Sequence, residues 1–309
     1  MQEKYVSDFE EIFFNVDNNQ EVNEIIEQAS EVLSSLIIKY VEIINEMSYG
    51  VSKGSENFYT NQVVLLFCRK VAEQLDAINI LISKTSFSQA EIILRSLVEN
   101  AISLEFILDG DTDLKATSYF MQHHYDEISK KEQFIKALNG EGLADEVKAE
   151  LIAKVERKEA SINSLVSKNE LFRKINDERN KIKNKNIKWY ELFSGPKSFK
   201  QMMEAVNLGE YYESLYGGLS METHGLNAAM GMDIDDECIS LKLIREPFEG
   251  DSVISLTCTF AISALNCVYK FLGDGQEEKT EFRRFFEEYT KKRDIVIQNL
   301  NMIIKEVHQ

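Results

Sequence analysis

Proline and glycine are scarce in this chain, and that scarcity constrains its fold more than any motif does. Only two prolines and 14 glycines occur in 309 residues, and these are the two residue types that most often interrupt a helix. Between them, apolar side chains recur at helical spacing. In residues 20–48, Ile26, Leu33, Tyr40 and Met47 form one row at steps of seven, and Ala29, Leu36 and Ile43 form a second. That pattern predicts an amphipathic helix of about eight turns. Similar reasoning predicts helices over 57–83, 86–108, 112–138, 253–272 and 277–307. The expected fold is all-α, a multi-helix bundle with at most a small β excursion near 236–246, where CISLKLI alternates. A single helical domain is expected, with a core bundle over about 20–140 and 189–307 and a charged helical arm over about 143–188.

Charge divides the chain unevenly. Residues 148–188 hold twelve Lys or Arg against six acidic residues, a net +6, so the remainder of this −17 chain is −23. The acidic balance works against broad affinity for nucleic acid or anionic membranes. The basic segment reads as a solvated helical arm laced with i,i+4 ion pairs, or as a surface that docks a phosphate, a protein partner or a second copy. Cys68, Cys238, Cys258 and Cys267 show no C-x-x-C spacing and read as buried free thiols of a reducing compartment. The N-terminal MQEKYVSDFEEIFFNV lacks the apolar run of a secretory signal. Residues 253–272 are long enough to span a bilayer, but Ser255, Thr257, Thr259, Ser263 and Asn266 dilute them, so a buried core helix is expected. A cytoplasmic protein without membrane contact follows.

Two helices carry charge in stripes. Glu91, Arg95 and Glu99 fall at steps of four within SFSQAEIILRSLVENAISLEFIL, with Ser88 beside them. Arg69, Glu73 and Asp76 share a stripe on the preceding helix. The TSFS link is short, which makes the helices antiparallel neighbours, with Ser86 or Ser88 as a cap and the two stripes facing each other. Downstream, Tyr212, Tyr216, Ser220 and His224 also follow at steps of four. Arg95, Glu99 and His224 are therefore the candidate catalytic group, with Glu91, Arg69, Tyr212, Tyr216 and Ser220 around the substrate. A histidine beside carboxylates can move a proton near neutrality, and a guanidinium can stabilise a charged intermediate, which together suffice for metal-free phosphodiester cleavage. The alternative is a satisfied ion network that fixes helix register. His123 and His124 point about 100° apart on one helix and read as surface or structural groups. Trp189, the only tryptophan, reads as an anchor pinning the arm to the body. Phosphate-cradling Gly loops, G-x-S-x-G, H-E-x-x-H and EF-hand patterns are all missing, so neither a cofactor nor a metal is expected.

The blocks RSLVENAISLEFIL (95–108) and WYELFSG…YYESLYGGLSMETHG (189–225) resemble the bacterial domain-of-unknown-function family five-six-seven-seven. The matching residues are Arg95, Ser96, Leu97 and Glu99, then Tyr216, Leu219, Ser220 and His224, and the likeness covers about residues 30–270. Such families look similar to HEPN-type bundles, many of them metal-independent ribonucleases of toxin or phage-defence systems. The resemblance thus implies an RNA or nucleotide substrate. The usual HEPN pattern places Arg four to six residues before His on one helix; here Arg95 and His224 would have to meet through the fold. Two other expectations stand beside that one. In the first, a regulatory or interaction module uses its basic arm to bind a partner or to form a homo-oligomer. In the second, a small-ligand sensor uses the polar pocket.

Overall fold

The computed structural model of the chain describes residues 20–50, 57–137, 145–182, 187–213, 232–234, 239–241, 250–273 and 276–307. The first apolar stretch forms one long helix, α1 (Gln20–Gly50), and both of its rows are buried from Ile26 to Met47. Tyr40 is fully enclosed, and its hydroxyl donates to the Ala261 carbonyl at 2.7 Å, which satisfies its one polar side-chain atom. Next come α2 (Phe58–Ile82), α3 (Phe87–Leu108), α4 (Thr112–Ala137), α5 (Asp145–Lys168) and α6 (Glu170–Lys181). A 3-10 helix (Trp189–Ser194) leads to α7 (Phe199–Ala205), then to the short strands β1 (Met232–Ile234) and β2 (Ile239–Leu241). The described chain closes with α8 (Gly250–Leu272) and α9 (Gln276–Val307).

Five of these helices make most of the core: α1 packs on α2, α2 on α3, α8 on α3, α2 and α1, and α9 adds Tyr289, Val296 and Leu300. The α2–α3 corner is tight. Thr85 turns it with a φ of 53°, and the Ser86 amide donates back to the Leu81 carbonyl at 2.9 Å. A left-handed non-glycine residue costs about 1–2 kcal/mol, so the closed corner and the burial of Thr85 must hold it there. Ser86 takes the N-cap position of α3, but its side chain makes no capping bond, unlike the expected serine cap. Helix α2 runs against its neighbours, with Asn79 bonded to Ser34 of α1 and Gln74 to Ser96 of α3. Helix α8 runs parallel to α3. Gly250, at its start, abuts Phe87 at the start of α3, while Lys270, near its end, lies in the field of Glu105 near the end of α3. It is the one helix among the described residues long and apolar enough to cross a membrane, and Val253, Ile254, Cys258, Ala261, Leu265 and Val268 are buried in the protein core. Helix α9 runs back along α8 and α1, Phe282 stacking on Tyr269 with ring centroids 4.3 Å apart.

A second layer covers α2. Helix α4 lies parallel to it, with Thr60 bonded to Asp113 and Phe67 against Tyr119. The basic segment folds as a helix pair, α5 and α6, broken at Asn169, whose side chain accepts from the Leu171 and Phe172 amides and caps α6. Both helices pack on α4, with Phe172 and Ile175 joining Met121, Ile187 and Leu192 in a small cluster. Lys154 and Glu150 form an i,i+4 pair of the kind expected on a solvated face. The β excursion is a three-residue antiparallel ribbon, with Met232 opposite Leu241 and Ile234 opposite Ile239. The Asn139-Gly140 break expected after α4 lies outside the described residues.

Candidate functional site

Helix α3 is buried along Leu94, Leu97, Val98, Ala101, Ile102 and Leu104, and this orients the stripe of Glu91, Arg95 and Glu99 towards one edge of the core. All three are half-buried. The Arg95 side chain is 19% exposed, and its Nε stands 3.5 Å from Oε1 of Glu99. Each of the three also engages further groups. Helix α7 packs on α3, its start capped by the Ser198 hydroxyl, which accepts from the Gln201 amide at 3.2 Å. Tyr190 lies beside the stripe; burial raises its phenol, and the charges of Glu191 and Glu99 add to that. The turn that carries Tyr190 requires glycine at 195, since a Cβ there would stand 2.1 Å from the Tyr190 carbonyl oxygen. Tyr212 packs half-buried on the main core under the ammonium of Lys200, which pairs with Glu213 at 2.7 Å. Tyr216, Ser220 and His224 lie outside the described residues.

The two charged stripes do not face each other. Arg69 and Glu73 are solvent-exposed and bonded together at 2.9 Å, and Asp76 is exposed as well. The α2 face that meets α3 instead carries Gln74, whose Nε2 donates to Ser96 Oγ at 2.7 Å while its Oε1 accepts from Asn100 Nδ2 at 3.1 Å. Asn100 also donates to the Ser96 carbonyl. A buried neutral network of this kind fixes the register of two helices without the desolvation cost of ions. Arg69 therefore belongs to the outer surface, away from the α3 stripe.

Sequence reasoning passed over Glu105. It is 8% exposed on the α3 face that meets α8, and its Oε1 has no hydrogen-bond partner. Burial pushes its carboxyl up, opposed by Ser263 and the charge of Lys270. The only signal was an acid inside SLEFIL, at a position where the spacing gives an apolar face. Burial also raises three of the thiols, Cys68 to about 12 and Cys258 and Cys267 to about 11, so they stay protonated. Cys238 lies outside the described residues. His124 is held down to about 4 by burial and by Lys158 and His123, and Lys158 already pairs with the nearby Glu127. Among the described residues, no group of three or more His, Cys, Asp or Glu could hold a metal ion. Trp189 is buried against Phe106 and Tyr119, with centroids 5.8 and 5.5 Å away, and so ties the end of the basic segment to α3 and α4.

Residues 61–238, more than half of the chain, match DUF5677, a family of unknown function. No curated protein and no solved structure matches the chain. The match starts within α2 and ends before β2, so it takes in the α3 stripe, the 3-10 turn and α7 together. The chain therefore belongs to DUF5677.

Proposed function

We propose that the protein is a cytoplasmic helical effector of HEPN-like type, acting on RNA or a nucleotide without a metal, as in toxin or phage-defence systems. The observation that carries this reading is the seat of Arg95. Its side chain is 19% exposed, with Nε 3.5 Å from Glu99 Oε1, and a sheltered guanidinium beside a carboxylate is a fork suited to a phosphate. Arg95 would stabilise charge on the reacting phosphate, and Glu91 and Glu99 would orient it. His224 would take the proton of the attacking 2′-hydroxyl and return it to the departing 5′-oxygen, leaving a 2′,3′-cyclic phosphate. Tyr212, Tyr216 and Ser220 would contact the substrate.

The test is incubation of total cellular RNA with wild-type protein, Arg95→Ala and His224→Ala in EDTA, with melting temperatures measured on the same samples. Cleavage by wild type alone, at similar melting temperatures, is the expected result. No cleavage by any of the three, with Arg95→Ala melting much lower, would assign the stripe to a structural network.

A second reading, an interaction module, is favoured by one observation. Arg173, Lys174 and Lys181 stand on α6 among Glu170, Asp177 and Glu178, with Lys181 paired to Glu178 at 3.1 Å, a mixed-charge face of the kind that meets a complementary one. Reversing Lys174 and Lys181 to Glu should then abolish self-association or partner capture, measured by light scattering, while Arg95→Ala leaves it intact.

A further inference from the structure

A groove between α8 and α9 encloses about 440 Å³ and is lined by Asn266, Tyr269, Lys270, Phe282, Arg283 and Phe286. Its floor is aromatic. Tyr269 and Phe282 are stacked at 28° between ring planes, and Phe286 lies 6.3 Å from Phe282 with 40% of its surface open to solvent. A single exposed aromatic side chain is unremarkable, but three along one groove that also carries two cations need a reason. Neither Lys270 nor Arg283 forms an ion pair with a described residue. Lys270 lies in the field of Glu105 behind it, inside the core. Glu42, Glu46 and Glu281 act by charge on Tyr269, and Lys39 pairs with two of them, at 2.6 Å from Glu42 and 3.3 Å from Glu281.

We infer that this groove binds a small aromatic carboxylate, its ring on Phe282 and Phe286 and its carboxylate between Lys270 and Arg283. The volume falls within the range of about 300–1,000 Å³ typical of small-molecule sites. A mostly apolar lining suits a flat ring and disfavours a sugar or a polyphosphate, whose polar atoms would lose water without replacement. Two cations and the Asn266 amide match the two oxygens of one carboxylate, with the guanidinium able to bind it through both. The aromatic floor adds stacking. This site lies apart from the α3 stripe and does not depend on the reading given to Arg95.

The test is calorimetric titration of the full chain with 2-naphthoate, alongside 2-naphthol, oleate and AMP. The expected result is one saturable naphthoate site, at least about tenfold weaker for naphthol. Arg283→Glu and Phe286→Ala, both at exposed positions, should each weaken naphthoate by about tenfold or more, while Arg69→Ala leaves it unchanged. Circular dichroism melts on the same variants establish that they are folded. The inference is overturned if naphthoate shows no saturable binding at millimolar concentration, or if folded Arg283→Glu binds it as well as wild type does. Tighter binding of oleate than of naphthoate, or displacement of naphthoate by AMP from the site that Arg283→Glu weakens, would equally overturn the aromatic-carboxylate assignment.

Discussion

Thr257 is fully buried in α8, and its hydroxyl has no hydrogen-bond partner. A buried donor left unmade costs about 1–3 kcal/mol, and a side chain of the same shape without the hydroxyl avoids that cost. Thr257→Val is therefore expected to stabilise the fold by about 1 kcal/mol in urea melts; a loss of stability would mean that the hydroxyl is satisfied in solution. Glu105 makes the parallel case for an ionisable group. Its carboxyl is raised by burial, so the folded chain holds the proton more tightly than the unfolded chain does. Stability then falls as pH rises from the ordinary carboxyl value through the raised one, with no penalty below that window. Glu105→Gln should melt above wild type at about pH 8, with the gap closing towards about pH 4. A lower melt at the alkaline end would mean that attraction to Lys270 outweighs burial. Neither residue could be picked out from the sequence, because a hydroxyl or an acid inside an apolar run looks the same whether or not it finds a partner.

Helix positions were legible where one face is apolar and the other is not. The α1 rows, spaced by seven, name the buried face of that helix directly. Helix α2 misled because its apolar residues are not confined to the buried face: Leu66 and Ile80 are 52% and 58% exposed. Arg69, Glu73 and Asp76 then read as an inward stripe, although long charged side chains at steps of three and four are the ordinary mark of a solvent face. The polar contact that joins α2 to α3 is neutral, through Gln74, Ser96 and Asn100. Stripes of charge gave no hint of it. Helix docking was legible still less, since it depends on partners distant in sequence. The start of α8 illustrates this: a Cβ at Gly250 would stand 2.7 Å from the ring of Phe87, itself 2% exposed. Gly250→Ala should cost about 1–3 kcal/mol through overpacking. Adding Phe87→Leu should recover part of that loss, and a double-mutant cycle in urea measures the coupling. Additive effects would show that the two helix starts do not touch.

The whole core is assembled from segments at both ends of the chain. Residues 61–238, the span shared with the family, contain α3 but neither α1 nor α8. The side of α3 carrying Val98, Ala101, Ile102 and Glu105 would face water in that fragment. We expect the isolated 61–238 fragment to lack a cooperative thermal transition and to bind a hydrophobic dye, while the full chain melts in one step; a sharp transition in the fragment would show that α2 to α7 suffice as a core. The general class, an all-helical bundle, was readable from the scarcity of proline and glycine. The parallel seam of α3 and α8 was not, because no local pattern records which distant helix returns to fill a groove. That seam also sets a timetable for synthesis. A ribosome adding about 5–20 residues per second needs roughly ten to thirty seconds to pass from Leu108 to the end of α8. The apolar side of α3 therefore emerges that long before α8 does, so a newborn chain must be shielded by other molecules or by provisional contacts of its own until α8 follows.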